Sequence, residues 1–247
     1  MIDAKQPKRK KIAVIFGVAA GIVVLGILYA LFGTPVPAAR FLRNLFAEGS
    51  NASAPAGFAE MQSDVEIIRD ISYPSTRKLN QLDLFLPIER DDPLPTVLWV
   101  HGGAFVGGNK SDVDNYATAL ASEGYAVASI NYELAPEANY PSPLLQTEEA
   151  YRWLESVKDT YSLDLTRFAL AGDSAGAHIV TQFSVIQTSP VYAEAVQIEP
   201  VVPEGGISAL LLYCGPFDLK KLDEIENTQM KYLLSQAAWA YFGTRQW

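Results

Sequence analysis

The sequence predicts an α/β fold with a mostly parallel sheet, and three observations lead to this prediction. Short, nearly continuous apolar runs occur at residues 96–100, 125–130, 168–171 and 207–213, as in strands buried on both faces of a parallel sheet. Segments with helical patterning separate these runs. Two earlier segments, 65–73 and 82–86, alternate apolar with polar residues, which predicts half-exposed antiparallel strands.

Composition sets limits on the kind of protein. A chain of 247 residues, 49% of them hydrophobic, can build one catalytic-size domain. The first 32 residues hold five of the 19 Lys+Arg and one of the 28 Asp+Glu, so the remainder carries a net charge of about −13. Such an acidic domain disfavours nucleic acid as a partner. Cys214 is the only cysteine, which rules out an intramolecular disulfide and a cysteine-based metal site.

The stretch 12–32 contains no charged residue and follows four basic residues at 8–11. At about 1.5 Å per residue it matches the ~30 Å hydrocarbon layer, which predicts a transmembrane helix. A buried core helix and a cleaved signal peptide are the alternatives. Five basic residues precede the stretch, whereas Arg40 and Arg43 follow it. This bias predicts a single-pass protein of the cell membrane, with a cytoplasmic N-terminus and an extracellular domain.

We therefore expect four parts: a cytoplasmic basic tail at 1–11, a transmembrane helix at 12–32, a linker at 33–64 and the α/β domain at 65–247. Parts of the linker are rich in proline and small residues, as spacers are. Between these parts, Phe41, Leu42, Leu45 and Phe46 predict either an apolar face on the membrane surface or a plain connecting helix.

The segment Gly172-Asp173-Ser174-Ala175-Gly176 fits the pattern G-x-S-x-G and lies between a predicted buried strand and a predicted helix. In that context the pattern predicts a nucleophile elbow, a sharp turn that lifts the serine hydroxyl above the sheet. The glycines avoid side-chain clashes in this tight bend. Ser174 is therefore the candidate nucleophile.

A second motif, His101-Gly102-Gly103-Ala104-Phe105, follows an earlier buried strand. Its glycines allow backbone N–H groups to turn toward one point. Together with the N–H of Ala175, these groups are suited to bind the negative oxygen of a tetrahedral acyl intermediate. The alternative is a glycine-rich turn with a structural histidine. In either case we expect His101 to orient the loop rather than move protons.

These motifs, together with Asn-Tyr-Glu-Leu-Ala-Pro-Glu at 131–137 and Leu-Tyr-Cys-Gly-Pro-Phe-Asp-Leu at 212–219, resemble the hormone-sensitive-lipase-like branch of α/β-hydrolase esterases. The resemblance covers residues 65–243. It implies a three-layer α/β-hydrolase sandwich in which Ser174 is the catalytic nucleophile. It also implies that the N–H groups of Gly103, Ala104 and Ala175 form the oxyanion hole, with Ala104 replacing the family's usual third glycine.

The catalytic acid and base are not evident. In this fold they follow the nucleophile along the chain, and only His178 lies downstream of Ser174. It sits four residues later on the same helix, so we expect it to be a packed or capped helix residue. Asp218 is the candidate acid, with a loop or helix-capping role as its alternative. The family's last two strands have no counterpart before Trp247, so we expect an incomplete domain with the edge of its sixth strand exposed.

The hypothesis from sequence is a membrane-anchored serine hydrolase that acts on a small-molecule acyl ester through an acyl-enzyme on Ser174. It requires no metal and no organic cofactor, and its partners are the ester and the lipid bilayer, with no nucleic acid. The missing base makes the activity of this chain doubtful. The alternatives are a pseudoenzyme or binding module of the hydrolase fold, and an inactive fragment.

Overall fold

The computed structural model describes residues 6–47 and 54–246, without the side chains of residues 6–11 and 13. The strands in this part of the chain are β1 (Val65–Ser72), β2 (Gln81–Pro87), β3 (Leu94–Val100), β4 (Ala126–Ile130), β5 (Leu163–Asp173) and β6 (Ile207–Tyr213). The α-helices are α1 (Gln6–Leu28), α2 (Val36–Phe46), α3 (Phe58–Ser63), α4 (Asp114–Ser122), α5 (Ser142–Tyr161), α6 (Ala175–Thr188), α7 (Pro190–Val196) and α8 (Thr228–Phe242). A π-helical turn, Tyr29–Gly33, continues α1, and the segments Lys110–Val113 and Leu219–Glu224 are 3₁₀ helices.

The six strands form one sheet in the order β1-β2-β4-β3-β5-β6. Strands β1 and β2 are antiparallel to their neighbours, whereas β4, β3, β5 and β6 run parallel to one another. Because β3 and β5 are adjacent, with Val100 opposite Gly172, the loops that follow them leave the sheet side by side. Both sequence motifs are on these two loops. The predicted fold class, an α/β-hydrolase sheet that is mostly parallel, is confirmed.

Helices cover both faces of the sheet, because the central strands present apolar side chains on each side. One face packs against Ala117 and Ala121 of α4 and against Val113 of the preceding 3₁₀ helix. The other face packs against α5 and α6, and this larger core continues to α8 through Ala237 and Tyr241. The Ser174 turn therefore starts from a strand that is packed on both faces.

The alternation in β2 predicts a half-exposed strand, and that prediction is wrong. The side chain of Asp83, expected to face solvent, is completely buried. Lys110 binds it at 2.6 Å and Arg69 binds it at 2.7 Å, so the buried carboxylate is compensated by two cations. Strand β6 differs in the opposite sense. The apolar run 207–213 predicts burial on both faces, but β6 lies at the edge of the described sheet and is largely exposed.

The N-terminal helix includes the segment Val14–Gly33, which is long and apolar enough to cross a membrane. The apolar stretch of this segment has no residue buried inside the protein, so the predicted alternative of a core helix is wrong. A signal sequence near the N-terminus can meet the same criteria of length and composition. The basic side chains at 5 and 8–11 lie outside the part of the chain whose side chains are described.

Helix α2 lies within the segment expected to be a linker, and it packs on the domain. Its residues Ala39 and Leu42 are buried in the larger core, and the helix runs along α8. Phe41 and Leu45 face solvent. The four apolar residues grouped in the sequence analysis are therefore divided between two faces of α2.

Candidate active site

Ser174 occupies the strained turn that its motif predicts. It joins β5 to α6 with φ +50° and ψ −114°, a backbone conformation that L-residues rarely adopt. Its N–H donates a 2.7 Å hydrogen bond to the carbonyl of Tyr213 at the end of β6. A Cβ at Gly172 would lie 2.5 Å from the carbonyl carbon of Gly176, so only glycine fits there. The turn is thus fixed from both sides of the serine.

The loop after β3 turns its backbone toward Ser174. Gly103, Ala104 and Phe105 have successive positive φ values of 108°, 52° and 64°. Ala104 therefore adopts the left-handed conformation despite its side chain. A Cβ at Gly102 would lie 3.2 Å from the Cβ of Ser174, which shows how closely the loop passes the turn. The N–H groups of Gly103 and Ala104, like that of Ala175, donate to no other group in the described part of the chain.

Asp173 joins the loop to the turn. One carboxylate oxygen, Oδ2, accepts a 3.1 Å hydrogen bond from the N–H of Gly102, and Oδ1 accepts a 3.2 Å hydrogen bond from the indole Nε1 of Trp99. Burial raises the pKa of this carboxyl above its ordinary value. The sequence analysis treated Asp173 only as the variable position of G-x-S-x-G and missed this contact. The one sequence feature that could have indicated it is the acidic side chain next to the serine.

His101 is buried and contacts the backbone of the loop. Its Nδ1 lies 2.7 Å from the carbonyl oxygen of Gly102, and its ring stacks on Tyr132 with centroids 4.4 Å apart. The hydroxyl of Tyr132 donates a 3.0 Å hydrogen bond to the carbonyl of His101. Burial lowers the pKa of His101 to about 4, so the ring is neutral at physiological pH and donates from Nδ1. This geometry agrees with an orienting role.

Arg43 on α2 ties the outer side of the loop to a second loop. Its guanidinium donates to the carbonyls of Val106 and Ala135, at 2.6 Å and 2.7 Å, and forms a bidentate ion pair with Glu137. This contact was missed from sequence, where Arg43 counted only toward the charge bias across the membrane. The opposite end of the loop is held by the ion pair of Lys110 with Asp83.

An apolar cavity of about 210 Å³ lies over the turn. It brings together Ser174, Ala104 and Ala175, three of the residues predicted for the site; Gly103 does not line it. The remaining lining comes from Phe105, Cys214, Pro216, Leu219, Leu222, Leu234, Ala237 and Ala238. A carbonyl group placed at Ser174 would therefore leave its acyl chain among apolar side chains.

The other candidates, His178 and Asp218, do not line the cavity. The Nδ1 of His178 lies 3.0 Å from the carbonyl of Pro216, and its ring packs edge-on against Phe105 and Tyr241. Burial lowers its pKa. Asp218 is exposed and accepts a hydrogen bond from the N–H of Lys220, which caps the 3₁₀ helix Leu219–Glu224. Over residues 6–47 and 54–246, no group of three or more His, Cys, Asp or Glu is placed to hold a metal ion.

Comparison with known proteins gives consistent results. The BD-FAE family matches residues 82–241. Esterase LipC of Mycobacterium tuberculosis is 30% identical over 131 residues, which cover 51% of this chain and 31% of LipC. The chain thus spans about a third of the length of that curated relative.

Solved structures show the same fold. Esterase B of Lactobacillus rhamnosis superimposes with a TM-score of 0.68 at 24% identity, covering 83% of this chain and 66% of that one. The hyperthermophilic esterase of the archaeon Pyrobaculum calidifontis gives a TM-score of 0.58 at 22% identity, covering 84% of this chain and 64% of its own. The resemblance to α/β-hydrolase esterases, inferred from motifs, is confirmed at the level of family and fold.

Proposed function

Because the chain belongs to the BD-FAE family and has the fold of α/β-hydrolase esterases, we propose that it is a serine hydrolase that cleaves carboxylic esters through an acyl-enzyme on Ser174. One observation carries the proposal: Ser174 stands at a strained turn, in an apolar cavity that it shares with Ala104 and Ala175. The substrate is a small acyl ester, as the names of the esterase relatives suggest.

In the proposed reaction, the Ser174 hydroxyl oxygen bonds to the ester carbonyl carbon, and the carbonyl electron pair moves to oxygen. The N–H groups of Gly103, Ala104 and Ala175 stabilise this oxyanion by hydrogen bonds that need no rearrangement. The carbon–oxygen bond to the alcohol then breaks, and the alcohol leaves with the serine proton. Water attacks the acyl-enzyme in the same way and releases the carboxylic acid.

The reaction needs a base, and neither of the two histidines lines the Ser174 cavity. His101 is bound beneath the loop, and His178 points to Pro216. We propose that activation of Ser174 depends on an Asp and then a His, in the order usual for this fold. The complete coding sequence tests this: such a pair downstream of Ser174 supports it, and its absence contradicts it.

The second candidate function is a binding module that retains the hydrolase cavity without turnover, and the absence of a base at Ser174 among the described residues favours it. A fluorophosphonate probe separates the two candidates, because it reacts with activated serines. We expect Ser174 to be labelled in the native chain and in the control variant Ser184→Ala, and labelling to disappear in Ser174→Ala. An oxyanion hole and binding alone still give roughly 10³–10⁴-fold acceleration in studied triads. Labelling no faster than in Ser174→Ala would favour the binding module.

We propose further that α1 and its π-helical turn anchor the protein in the cell membrane, with the N-terminus in the cytoplasm and the domain outside. The exposed apolar segment Val14–Gly33 supports this. Arg40 and Arg43 follow the segment closely, fewer than the five basic residues that precede it. An epitope tag after Trp247 should bind antibody on intact cells. A second tag at the N-terminus should remain attached to the same polypeptide, which would show that the apolar segment is not cleaved off. Loss of the N-terminal tag would indicate a cleaved signal sequence.

A further inference from the structure

Two cavities of the protein share one wall. The Ser174 cavity is bounded on one side by the 3₁₀ helix Leu219–Glu224 and by α8. A second cavity, of about 440 Å³, lies on the other side of these elements and is bounded by Phe32, at the end of the apolar N-terminal segment. Leu219 and Leu222 line both cavities. The Ser174 cavity and the cavity at the end of the apolar segment are therefore separated only by this wall.

The end of the apolar segment is attached to this wall. The hydroxyl of Tyr232 on α8 donates a 2.6 Å hydrogen bond to the carbonyl of Leu31. The guanidinium of Arg245 donates to the carbonyl of Phe32 and lies over the ring of Trp239, 4.0 Å from its centroid. These bonds satisfy carbonyls at the end of the helix and fix its position. A bilayer around the segment would then reach the wall of the Ser174 cavity.

The surface around this attachment has the composition of a membrane interface. Tyr29, Tyr232 and Trp239 are at the level of the helix end, where amphipathic rings favour the headgroup region. Lys220 and Arg245 add positive charge. The carboxylate of Asp223 lies here too, but Lys231 pairs with it at 3.1 Å. The exposed carboxylates of Asp218, Glu224 and Glu226 offset these cations, so attraction to the bilayer rests on the aromatic and apolar side chains.

Exposed apolar side chains border the same wall. Phe217, just before the 3₁₀ helix, is 53% exposed, and Met230 in the first turn of α8 is 49% exposed. On α2, which packs along α8, Phe41 and Leu45 are more than half exposed. Apolar residues grouped in this way mark a surface that contacts lipid or protein. Because this surface is continuous with the apolar segment, we infer that it contacts lipid.

We propose that the Ser174 cavity opens at the membrane surface and takes its ester from the bilayer; this rests on the function proposed above. The substrate class is a carboxylic ester with an apolar acyl chain dissolved in lipid. The acyl chain of the ester passes Phe217 and Leu222 and enters a cavity lined mostly by apolar side chains. At about 210 Å³ the cavity is smaller than typical ligand sites of about 300–1,000 Å³, so it holds a short acyl chain or only the methylenes next to the carbonyl.

Cys214 gives a direct test, because it is the only cysteine and lines the Ser174 cavity. A nitroxide attached to it in the full chain, in phosphatidylcholine–phosphatidylglycerol vesicles, reports its surroundings by power saturation. We expect relaxation by oxygen, which concentrates in lipid, to exceed relaxation by a water-soluble nickel complex. The control is Cys214→Ser with Asp92→Cys, at the opposite end of the parallel strands, where the nickel complex should prevail. Equal behaviour at the two positions overturns the proposal, whether or not Ser174 is reactive.

A second experiment compares a long-chain fluorophosphonate dispersed in vesicles with a short-chain, water-soluble one. Phe217→Asp should slow labelling by the long-chain probe at least fivefold and leave the short-chain rate unchanged. Val191→Asp replaces an apolar residue that is 80% exposed on α7, and should change neither rate. Equal slowing of both probes by Phe217→Asp contradicts entry from lipid. If neither probe labels Ser174, the proposed function fails, and the nitroxide at Cys214 still decides where the cavity opens.

Discussion

Replacing Ser174 by glycine should stabilise the protein, because the strain at the turn is a property of the backbone. At φ +50° and ψ −114°, an L-residue carries a cost of about 1–3 kcal/mol. Glycine adopts this conformation freely but loses about 0.4–1 kcal/mol through the greater entropy of its unfolded chain. The hydroxyl of Ser174 makes no capping hydrogen bond to α6, so little is lost with it. The expected net gain in the free energy of unfolding is about 1 kcal/mol.

Ser174→Ala is the matched control, because alanine removes the same hydroxyl and retains the strain. Its free energy of unfolding should lie within about 0.5 kcal/mol of the native value, the range expected for a change without a lost contact. Urea titration of the three full chains in detergent measures both differences. A glycine variant no more stable than the alanine variant would refute the reasoning, because the strain at the turn would then not exceed the entropy cost of glycine, about 0.4–1 kcal/mol.

Three further predictions concern the supports of the site. Asp173→Ala frees the N–H of Gly102, and displacement of the loop should slow fluorophosphonate labelling about tenfold or more; an unchanged rate would show that the carboxylate does not position it. Arg43→Gln should lower the free energy of unfolding, measured in urea, by about 1–2 kcal/mol, because two carbonyls and a carboxylate lose a hydrogen-bond donor. The control Arg40→Gln should change it by no more than about 0.5 kcal/mol. Equal losses in the two variants would contradict this prediction. The folded pKa of His101, about 4, lies below the ordinary 6.5, so its contribution to stability is present above pH 6.5 and is lost as the pH falls to 4. This amounts to about 3 kcal/mol at most, and urea titrations across that range should show a shallower decline for His101→Asn; parallel curves would be the contrary result.

The central strands were predictable because burial on both faces leaves a simple trace, a short run of apolar residues. The alternation of strands and helices along the chain followed from the same pattern. The Ser174 turn was equally accessible, since its geometry requires small residues at fixed positions on either side.

What the sequence could not show is which charged residues meet across the fold. Asp83 was assigned to the solvent-facing side of an alternating strand. No residue near it in the sequence indicates that Lys110, 27 residues later, binds it. Arg43 was likewise counted as a free cation, although its partner Glu137 is 94 residues away. Such pairs depend on the packing of whole elements, and local patterning carries no record of them.

The most direct test of the account is the structure of the full chain after reaction with a phosphonate ester. The account predicts phosphorus bonded to the Ser174 oxygen, with the phosphoryl oxygen about 2.7–3.1 Å from the N–H groups of Gly103, Ala104 and Ala175. A phosphoryl oxygen turned away from those amides, or a phosphonate bound to another residue, would contradict it.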